Sequence, residues 1–362
     1  MTGPRTAAFA INGRQIGPGR PVYIIAELSA NHGGDEGVAM ELVRAAAEAG
    51  ADAVKLQTYT PDTITIDSDA PPFRPGTGSL WSGTTLYDLY REGTMPWEWQ
   101  PRLKTLADSL GMDCFASPFD ATAVDFLEAM DVPAFKVASF ELVDLPLIRR
   151  MAATGRPLII STGMATEAEV DAAVEAARGA GASEIALLKC TSAYPSRPED
   201  VNLRAMATMA ERWGVPVGLS DHTIGPVVPV AAVALGACIV EKHMTLSSDD
   251  TTLDATFSLD RDGFRDMVAA VRMAERSLGS ATVEPTPAEE ESRRFRRSLF
   301  VVEDVAAGEP LTERNVRSIR PAGGLHTRHW EEVLGRRAAN PIARGTPLSF
   351  ELLEPLEGRS AS

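Results

Sequence analysis

Eight short apolar runs recur along most of the chain, and each ends in polar residues with chemically capable side chains. The runs occupy residues 22–32, 51–59, 111–119, 134–142, 157–165, 185–195, 216–223 and 238–246. Strands that are buried on both faces have this apolar pattern, because helices cover the outer faces of a parallel sheet. The pattern therefore predicts eight buried parallel strands.

A stretch with helical periodicity follows each run. The predicted helices span residues 36–50, 96–110, 120–130, 144–154, 166–180, 201–213, 225–236 and 261–278. Eight strand–helix units in about 250 residues are what a (β/α)8 barrel requires, and such barrels carry their chemistry at the C-terminal ends of the strands. We therefore predict an α/β fold, with a (β/α)8 TIM barrel as the catalytic domain over residues 1–281.

Two intervals between the predicted elements are unusually long. Residues 60–95 form an aromatic-rich excursion after the second strand, which we expect to be part of the substrate wall. Residues 246–260 follow the eighth strand, and we expect them to form a lid segment. Long loops at the top of a barrel commonly carry function.

The C-terminal part of the chain contains an internal repeat. Residues 282–294 are rich in Pro and Glu and are predicted to be a linker, with a solvated helix start as the alternative. Within residues 295–362, the sequence of residues 305–312 recurs in similar form at residues 342–349. Each copy predicts a strand, a glycine turn and a Pro-Leu exit, and hence a small pseudo-symmetric β module. About 60 residues make only a marginal core, so we expect this module to pack against something larger.

Composition narrows the class of protein. Hydrophobic residues make up 44% and charged residues 23%, which are ordinary values for a soluble globular enzyme. The net charge of −15 argues against nucleic acid or an anionic membrane as a partner. No apolar run approaches the roughly 20 residues of a membrane span, and the start of the chain has no signal-peptide core. Cys114, Cys190 and Cys238 have no pairing pattern, so we expect reduced core thiols in a cytoplasmic protein.

Four of the five lysines lie inside predicted strands: Lys55, Lys136, Lys189 and Lys242. A buried ammonium group is costly unless it is paired or faces a ligand. We expect ion pairs with strand carboxylates such as Glu27, Glu141 and Glu241 to account for one or two of the four. The remaining cations favour a small, multiply charged anion as substrate.

Three of the five histidines follow predicted strands 1, 7 and 8: His32, His222 and His243. These strands become neighbours when a barrel closes. Imidazoles from adjacent strands, with Asp221, Glu241 or Asp254 nearby, would suit a first-row divalent cation with open coordination positions. Structural or proton-transferring histidines are the alternative, because the spacing matches no dedicated zinc motif.

Further polar residues end the other strands. Glu27 lies late in the first strand and is either a general base or a lysine partner. Lys55 and Gln57 share one face of the second strand, so both side chains can point into the barrel mouth. Hydroxyl groups end five different strands, at Ser117, Ser139, Ser161 with Thr162, Ser192 and Ser220. One such serine is typical of a turn, but five at the same height predict a site for phosphate and carboxylate oxygens.

No GxSxG, Walker or dinucleotide motif follows a strand, which argues against serine hydrolases, NTPases and Rossmann enzymes. The chain instead resembles the sialic acid synthase family, and within it most closely the pseudaminic acid synthases. The resemblance covers nearly all 362 residues. Its main motifs are IAELSANH (25–32), VKLQTYTPDT (54–63), SPFDATAVDFL (117–127), FKVASFE (135–141), ISTGMA (160–165), LLKCTSAYP (187–195), GLSDHT (218–223), VEKHMTL (240–246) and FRRSLFVV (295–302).

This resemblance implies a transferase that condenses phosphoenolpyruvate with the open-chain aldehyde of an N-acetylated amino sugar. For the pseudaminic branch the sugar is 2,4-diacetamido-2,4,6-trideoxy-L-altrose, and the products are a nonulosonic acid and phosphate. It also implies that residues 295–362 form an antifreeze-like domain (SAF, β-clip), including the motif NVRSIRPAGG at residues 315–324. The family forms domain-swapped homodimers, which would explain a module too small to stand alone.

The resemblance assigns roles to residues of this chain. His222 and His243 would bind a divalent metal, expected to be Mn²⁺ with Mg²⁺ or Co²⁺ as alternatives, and Glu27 would act with them in catalysis. Phosphoenolpyruvate would be held by Lys55, Ser117, Lys136, Ser139, Ser161, Ser192 and Ser220. The sugar would be lined by Gln57, Glu141, Tyr194 and Asp254, with Arg320 reaching its acetamido group from the partner subunit.

Some residues depart from the family pattern. SANHGG at residues 29–34 differs from the usual sequence of the pseudaminic branch, as do Ser117 and Ser192 from the threonine and asparagine of other members. The same chemistry on another N-acetylated hexose, as in N-acetylneuraminate or legionaminic acid synthases, is therefore an alternative. A metal-dependent hydrolase is a more distant one. A non-enzymatic module that binds ice or polysaccharide is the least favoured, because Glu27, the lysines and both histidines are in place.

Overall fold

The structure, a computed structural model, describes residues 9–76 and 80–355. Short pieces of the predicted ranges lie outside the described residues, namely 1–8, 77–79 and 356–362. The chain divides into two compact units, Met1–Gly279 and Ser280–Ser362.

A small antiparallel hairpin begins the described chain, formed by β1 (Ala10–Ile11) and β2 (Arg14–Gln15). Phe9, Ile11 and Ile16 flank it and are buried in the same hydrophobic cluster as the barrel. Sequence periodicity does not predict this hairpin, because two-residue strands are too short to show alternation.

Eight parallel strands then form a closed barrel in chain order, with the last strand pairing with the first. They are β3 (Tyr23–Glu27), β4 (Ala53–Thr58), β5 (Asp113–Pro118), β6 (Phe135–Val137), β7 (Leu158–Ser161), β8 (Ile185–Cys190), β9 (Val217–Asp221) and β10 (Ile239–His243). Each strand lies within one of the predicted apolar runs. The predicted (β/α)8 barrel is therefore confirmed.

The register of the strands sets the height of the polar side chains. Glu27 at the end of β3 is paired with Lys55 of β4 on one side and with His243 of β10 on the other. Gln57 of β4 is paired with Ser117 of β5. Because side chains in register point to the same side of a parallel sheet, these residues belong to neighbouring layers inside the barrel.

Among the described residues, ten α-helices belong to the first unit, where they cover the barrel and its loops, and one more, the last in the chain, belongs to the second unit. They are α1 (Glu36–Ala49), α2 (Pro61–Ile64), α3 (Leu86–Gly93), α4 (Gln100–Ser109), α5 (Ala121–Ala129), α6 (Leu145–Ala152), α7 (Glu167–Gly179), α8 (Ala205–Trp213), α9 (Val227–Ala234), α10 (Arg261–Ser277) and α11 (Trp330–Val333). All eight predicted barrel helices are present, with ends that differ by at most four residues. Local signals explain the ends: Asp35 caps α1 by accepting the Val38 N–H, and Gly50 ends that helix at φ 87°.

One hydrophobic cluster fills the space between the strands and the helices of the barrel. The three cysteines are buried and free, as predicted. Among the described residues, no helix combines the length and the apolar character that crossing a membrane requires.

The second unit has its own hydrophobic cluster, which includes Leu299, Val316 and Leu348. Its antiparallel strands are β11 (Ser298–Val301) and β12 (Val316–Ile319). The two repeat copies pair with each other, since Val305 and Ile342 exchange backbone hydrogen bonds of 2.9 and 2.8 Å. The expectation of a strand in each copy is wrong: each copy forms an isolated bridge, a glycine turn and a second bridge. The predicted linker contains two 3₁₀ turns, Pro287–Glu289 and Glu291–Phe295, rather than extended chain.

Candidate active site

A cavity of about 900 Å³ opens at the C-terminal ends of the barrel strands. It is lined by every residue to which the family resemblance assigns a role except Ser117 and Arg320. Ser117 is fully buried in β5 and lies behind the wall, because the Lys55 ammonium donates to its Oγ at 3.3 Å and covers it. Arg320 belongs to the second unit, where it is exposed.

The base of the cavity is polar, and we name this surface the polar floor. It comprises Glu27, Lys55, Gln57, Lys136, Ser139, Ser161, Ser192, Ser220, His222, Glu241 and His243. These residues end the barrel strands or follow them directly. Since all parallel strands end at the same face, the fold itself concentrates these groups at one place.

Two carboxylates and one ammonium group form a buried cluster on the polar floor. Lys55 Nζ lies 2.6 Å from Glu27 Oε2 and 3.6 Å from Glu241 Oε1. Gln57 donates to Glu27 Oε1 at 2.8 Å. Burial raises the pKa of Glu27 although Lys55 opposes the change, so this carboxylate is a stronger base than an exposed one. Burial also opposes the charge of Lys55, but Glu241 and Glu27 outweigh it and raise the pKa of Lys55.

Lys136 is the buried cation without a carboxylate partner among the described residues of the floor. Its ammonium donates to the Val137 carbonyl at 2.9 Å and to Ser161 Oγ at 2.6 Å. Burial lowers its pKa, which means that the charged form lacks compensation in the unliganded protein. Lys136 is thus ready to pair with an anion that enters the cavity.

The other strand lysines face away from the cavity. Lys242 pairs with Asp221 at 2.7 Å, and both side chains are at most 1% exposed. Lys189 donates to the carbonyl of Cys190 at 2.8 Å. Ion pairs therefore account for Lys55 and Lys242, which agrees with the prediction of one or two among four.

Hydroxyl groups complete the anion-binding side of the floor. The Oγ atoms of Ser139 and Ser192 lie 2.8 Å apart, and Ser220 donates to Glu241 at 3.3 Å. Gly163 permits this packing, since its φ is +49° and a Cβ there would lie 2.5 Å from Ser139 Cβ. A side chain at residue 163 would fill the space beside both serines.

The imidazoles of His222 and His243 meet on the same floor, with ring centroids 5.2 Å apart. Nδ1 of His222 lies 2.9 Å from the Thr191 carbonyl oxygen, to which it must donate. Nδ1 of His243 lies 3.2 Å from Ser29 Oγ. The Thr191 carbonyl can only accept, so it fixes the tautomer of His222, and the ring of His222 also hydrogen-bonds the Cys190 side chain. The Ser29 hydroxyl orients His243 but can either donate or accept. Burial, followed by His222, holds the pKa of His243 well below its usual value, so this ring is neutral and able to bind a metal.

Two oriented, buried imidazoles beside an open cavity fit a divalent cation that keeps positions free for substrate. Among the described residues, no His, Cys, Asp or Glu completes a group of three. Asp254 Oδ2 approaches His243 Nδ1 to 3.9 Å. Asp221, which was expected beside the metal, pairs with Lys242 instead and does not line the cavity.

His32 does not join the other two histidines, so that expectation is wrong. The chain turns after β3 through Ser29, at φ +38°, and His32 lies outside the cavity. Its Nδ1 accepts the Gly34 N–H at 3.0 Å, and its ring packs edge-on against Trp99 at 5.7 Å.

Several lining residues were missed or underrated by sequence reasoning. Glu241 was considered a lysine partner or a neighbour of the metal, yet it lines the cavity and its Oε2 is buried without a hydrogen-bond partner. Its position two residues before His243 was the available signal, since both face the interior. Cys190, interpreted as a core thiol, lines the cavity for the same reason relative to Ser192. Phe257 lies against His243, with ring centroids 4.9 Å apart.

The predicted lid segment is tied to the barrel. Asn31 donates to the Met244 carbonyl at 2.9 Å and to Ser258 Oγ at 2.8 Å, and it accepts from Thr252 at 2.8 Å. Leu253, Asp254 and Phe257 of the segment line the cavity. The segment is therefore a fixed wall of the site in this conformation.

Comparison with known proteins agrees with this architecture. The NeuB family matches residues 42–283, and the SAF domain matches residues 296–354. A pseudaminic acid synthase from Helicobacter pylori is 45% identical over 336 residues, which cover 92% of this chain and 98% of that protein. An N,N'-diacetyllegionaminic acid synthase from Legionella pneumophila is 35% identical and covers 95% of this chain and 98% of its own.

A solved structure shows the same likeness. The N-acetylneuraminic acid synthetase from Leptospira borgpetersenii has a TM-score of 0.71 and 28% identity, covering 79% of this chain and 95% of that one. The predicted resemblance to the sialic acid synthases, and most to the pseudaminic branch, is confirmed, as is the C-terminal SAF domain. The chain belongs to the NeuB family.

Proposed function

We propose that this chain is a pseudaminic acid synthase, which condenses phosphoenolpyruvate with 2,4-diacetamido-2,4,6-trideoxy-L-altrose. The observation that carries the proposal is the polar floor, where an unpaired buried cation and a ring of hydroxyls face a pair of oriented imidazoles. The 45% identity to a pseudaminic acid synthase supports the choice of sugar over the legionaminic alternative, which is supported at 35%.

Phosphoenolpyruvate fits the anion-binding side of the floor. Its phosphate and carboxylate would supply the negative charge that Lys136 lacks, and Ser139, Ser161 and Ser192 would donate hydrogen bonds to their oxygens. Ser220 lies on the same side, next to Glu241. Ser117 would act through Lys55 rather than by direct contact.

We propose that His222 and His243 hold a divalent cation, with Mn²⁺ expected and Mg²⁺ or Co²⁺ as alternatives. When bound there, such an ion supplies Lewis-acid polarisation of the aldehyde oxygen. The protein orients its two imidazoles through Thr191 and Ser29. The rings of Tyr194 and Phe257 pack on the imidazoles and limit the access of water, with centroids 4.5 Å from His222 and 4.9 Å from His243.

The reaction joins C3 of phosphoenolpyruvate to the aldehyde carbon of the sugar, whose oxygen then takes up a proton. Positive charge that develops at C2 is stabilised by the carboxylate of Glu27. Water adds to C2 and gives its proton to Glu27, whose buried position makes it a suitable base. The bond between C2 and the phosphate oxygen breaks last: the C2 hydroxyl becomes the ketone, and inorganic phosphate leaves with the bonding electrons and takes up the hydroxyl proton. Gln57, Glu141, Tyr194 and Asp254 line the remaining space, where the sugar would lie.

We also propose a domain-swapped homodimer in which Arg320 of one copy reaches the sugar site of the other. Arg320 is exposed. Large apolar side chains are exposed on the segments that follow the strands of the barrel: Phe140, Val143, Met164, Ile224 and Val227. An exposed apolar rim of this kind marks an interaction surface.

Mixed dimers test the swapped arrangement. In a dimer of one Arg320→Ala chain and one His222→Ala chain, the first barrel would meet an intact arginine from the second chain. Mixed dimers can be purified after co-expression with two affinity tags. Each should have about half the activity of a wild-type dimer, because one of its two sites is intact. Mixed dimers as inactive as both parents would contradict the swap.

Phosphate release from phosphoenolpyruvate tests the reaction itself. We expect release with the diacetamido trideoxy sugar, less with N-acetylmannosamine, and none with either after chelation. Release without any sugar would favour a hydrolase instead. Absence of release with every sugar in the presence of Mn²⁺ would contradict the proposed function.

We place the reaction in the cytoplasm. The three cysteines are unpaired, which is typical of proteins from reducing compartments.

A further inference from the structure

The cavity has a second surface that differs sharply from the polar floor. Within the described part of residues 60–95, every residue that lines the cavity is uncharged, and we name this surface the cap. It comprises Ile64, Pro75, Leu80, Trp81, Leu86, Leu89, Tyr90 and Gly93. The same segment contains many charged residues, such as Asp62, Asp88 and Arg91, but none of these lines the cavity. Among the described residues of this segment, the charged residues and the residues that line the cavity are thus entirely separate sets.

Helix α3 supplies half of the cap. Leu86, Leu89, Tyr90 and Gly93 are spaced three, one and three residues apart, which places them on one face of a helix. The opposite face is polar: Asp88 forms an ion pair with Arg91 at 2.6 Å. α3 is therefore an amphipathic helix with its apolar face toward the cavity.

This apolar face has no protein core behind it. Leu86, Leu89 and Tyr90 are only partly buried, and in the described structure they belong to neither hydrophobic cluster. An amphipathic helix in a globular protein normally buries its apolar face against other side chains. Tyr90 packs edge-on against the ring of Tyr59, with centroids 5.9 Å apart, but Leu86 and Leu89 face the cavity. The surface that would match these leucines therefore has to come from a ligand.

The cap is held in place rather than free to move away. A Cβ on Gly93 would lie 2.9 Å from Tyr59 Oη and 3.4 Å from Leu253 Cδ1, so the end of α3 is closely packed. Trp81 Nε1 donates to the Leu253 carbonyl at 3.4 Å. The apolar surface is thus preformed for its ligand.

The chemistry of the acceptor sugar matches this surface, a match that rests on the proposed function. The aldehyde end of the sugar must lie at the polar floor, so C4 to C6 extend toward the cap. In the trideoxy sugar C6 is a methyl group, and the acetamido group on C4 carries a methyl beyond its polar N–H and C=O. N-acetylmannosamine has hydroxyl groups at C4 and C6, which would lose water against leucine without gaining a partner.

We infer that Leu86, Leu89 and Tyr90 are specificity-determining residues, which bind the C4 acetamido methyl and the C6 methyl and so select a deoxy, diacetamido sugar. An apolar pocket distinguishes single methylene or hydroxyl differences by about 10- to 200-fold. The cap therefore acts on the choice of sugar and leaves phosphoenolpyruvate binding to the floor.

Two replacements of similar size at one position test this inference in the full-length protein. Leu89→Met keeps the apolar contact, whereas Leu89→Gln places an amide there. We expect kcat/KM for the trideoxy sugar to stay within about threefold in Leu89→Met and to fall about tenfold or more in Leu89→Gln. The KM for phosphoenolpyruvate should stay unchanged in both, and the ratio of trideoxy sugar to N-acetylmannosamine turnover should fall only in Leu89→Gln.

A matched control is Leu235→Gln, because Leu235 is 52% exposed and lies at the end of α9, outside the cavity. It should change neither substrate preference nor KM. Equal kcat/KM for the trideoxy sugar in Leu89→Met and Leu89→Gln would overturn the inference, as would an equal loss for both sugars. A wild-type protein that uses no sugar at all would instead contradict the proposed function. The wild-type assay tests the proposed function, and the comparison of the variants tests the inference, so the two failures can be distinguished.

Discussion

The polar floor and the cap enclose the same cavity but are built in opposite ways. The floor consists of residues at the ends of regular strands, fixed by register and linked by buried ion pairs such as Glu27 with Lys55. The cap comes from one irregular excursion, and its lining residues carry no charge. From this difference we expect the barrel to supply the chemistry and the inserted segment to supply the choice of substrate.

The largest effect should follow from the base on the floor. Replacing Glu27→Gln keeps the shape and the contact with Gln57 but removes the proton acceptor. We expect kcat to fall about 10²- to 10⁴-fold, the range of general-base catalysis, with little change in sugar preference. Steady-state phosphate release measures this. A raised KM for the sugar with an unchanged kcat would mean that Glu27 binds the sugar and does not act as the base.

A buried ion pair supports the floor from outside the barrel. Lys242 and Asp221 flank His243 and His222 in sequence and pair at 2.7 Å with almost no exposure. Lys242→Met leaves a buried carboxylate unpaired, so the free energy of unfolding should fall by about 3–5 kcal/mol. The matched change Lys104→Met breaks a surface pair with Asp108 and should cost about 0.5 kcal/mol or less. Urea unfolding of both variants distinguishes them, and equal losses would refute the structural role of the buried pair.

Lys136→Met tests whether the floor is prepared for an anion. The unliganded variant should be as stable as the wild type or more stable, because the low pKa of Lys136 reports a charge that burial disfavours. Its Kd for phosphoenolpyruvate should rise about 10- to 100-fold, the value of one or two charge-assisted hydrogen bonds. Lys189→Met, on the same kind of strand but outside the cavity, should bind normally. Calorimetry and thermal unfolding together measure both quantities, and a destabilised variant with normal binding would contradict this account.

The smallest predicted effect lies where the floor meets the cap. Burial raises the pKa of Glu141 from 4.5 to about 7, and its charge in turn raises the pKa of Tyr90 after the effect of burial. The Glu141 carboxyl of the folded protein therefore keeps its proton at pH values where the same group in the unfolded chain, with its ordinary pKa, has released it. Stability from this proton is complete below the unfolded pKa and is lost as the pH rises through about 7.

Glu141→Gln should remove this dependence. The variant should gain about 1–3 kcal/mol over the wild type above about pH 8 and nothing below about pH 4.5. Urea unfolding across this pH range in the absence of ligands provides the measurement. Parallel stability curves for both proteins would show that Glu141 titrates normally.

The two surfaces also differ in how far the sequence predicts them. Lys55 and Gln57, or Glu241 and His243, alternate along a strand, and their positions follow from a period of two residues. Ser117 follows the same period yet does not line the cavity, because Lys55 covers it. That outcome depends on the direction of a long side chain, which periodicity does not contain.

The cap was predicted as an aromatic-rich excursion that forms part of the substrate wall, and residues of this segment do line the cavity. The apolar face of α3 has no signal of its own, since an amphipathic helix that faces a core and one that faces a cavity share the same pattern. The fate of His32 has a similar cause: a turn through Ser29 at φ +38° redirects the chain after β3. The position of His32 depends on local backbone geometry, and the role of the α3 face depends on whether a core or a cavity lies opposite it. The sequence pattern contains neither.

A crystal structure of the protein with Mn²⁺ and phosphoenolpyruvate tests the central claim most directly. We expect an anomalous peak between Nε2 of His222 and Nε2 of His243, with the phosphate bound to Lys136, Ser139 and Ser161 and the face of Leu86 and Leu89 left uncovered. A metal bound away from the two imidazoles, or phosphoenolpyruvate resting against those leucines, would contradict the division between a polar floor and a selective cap.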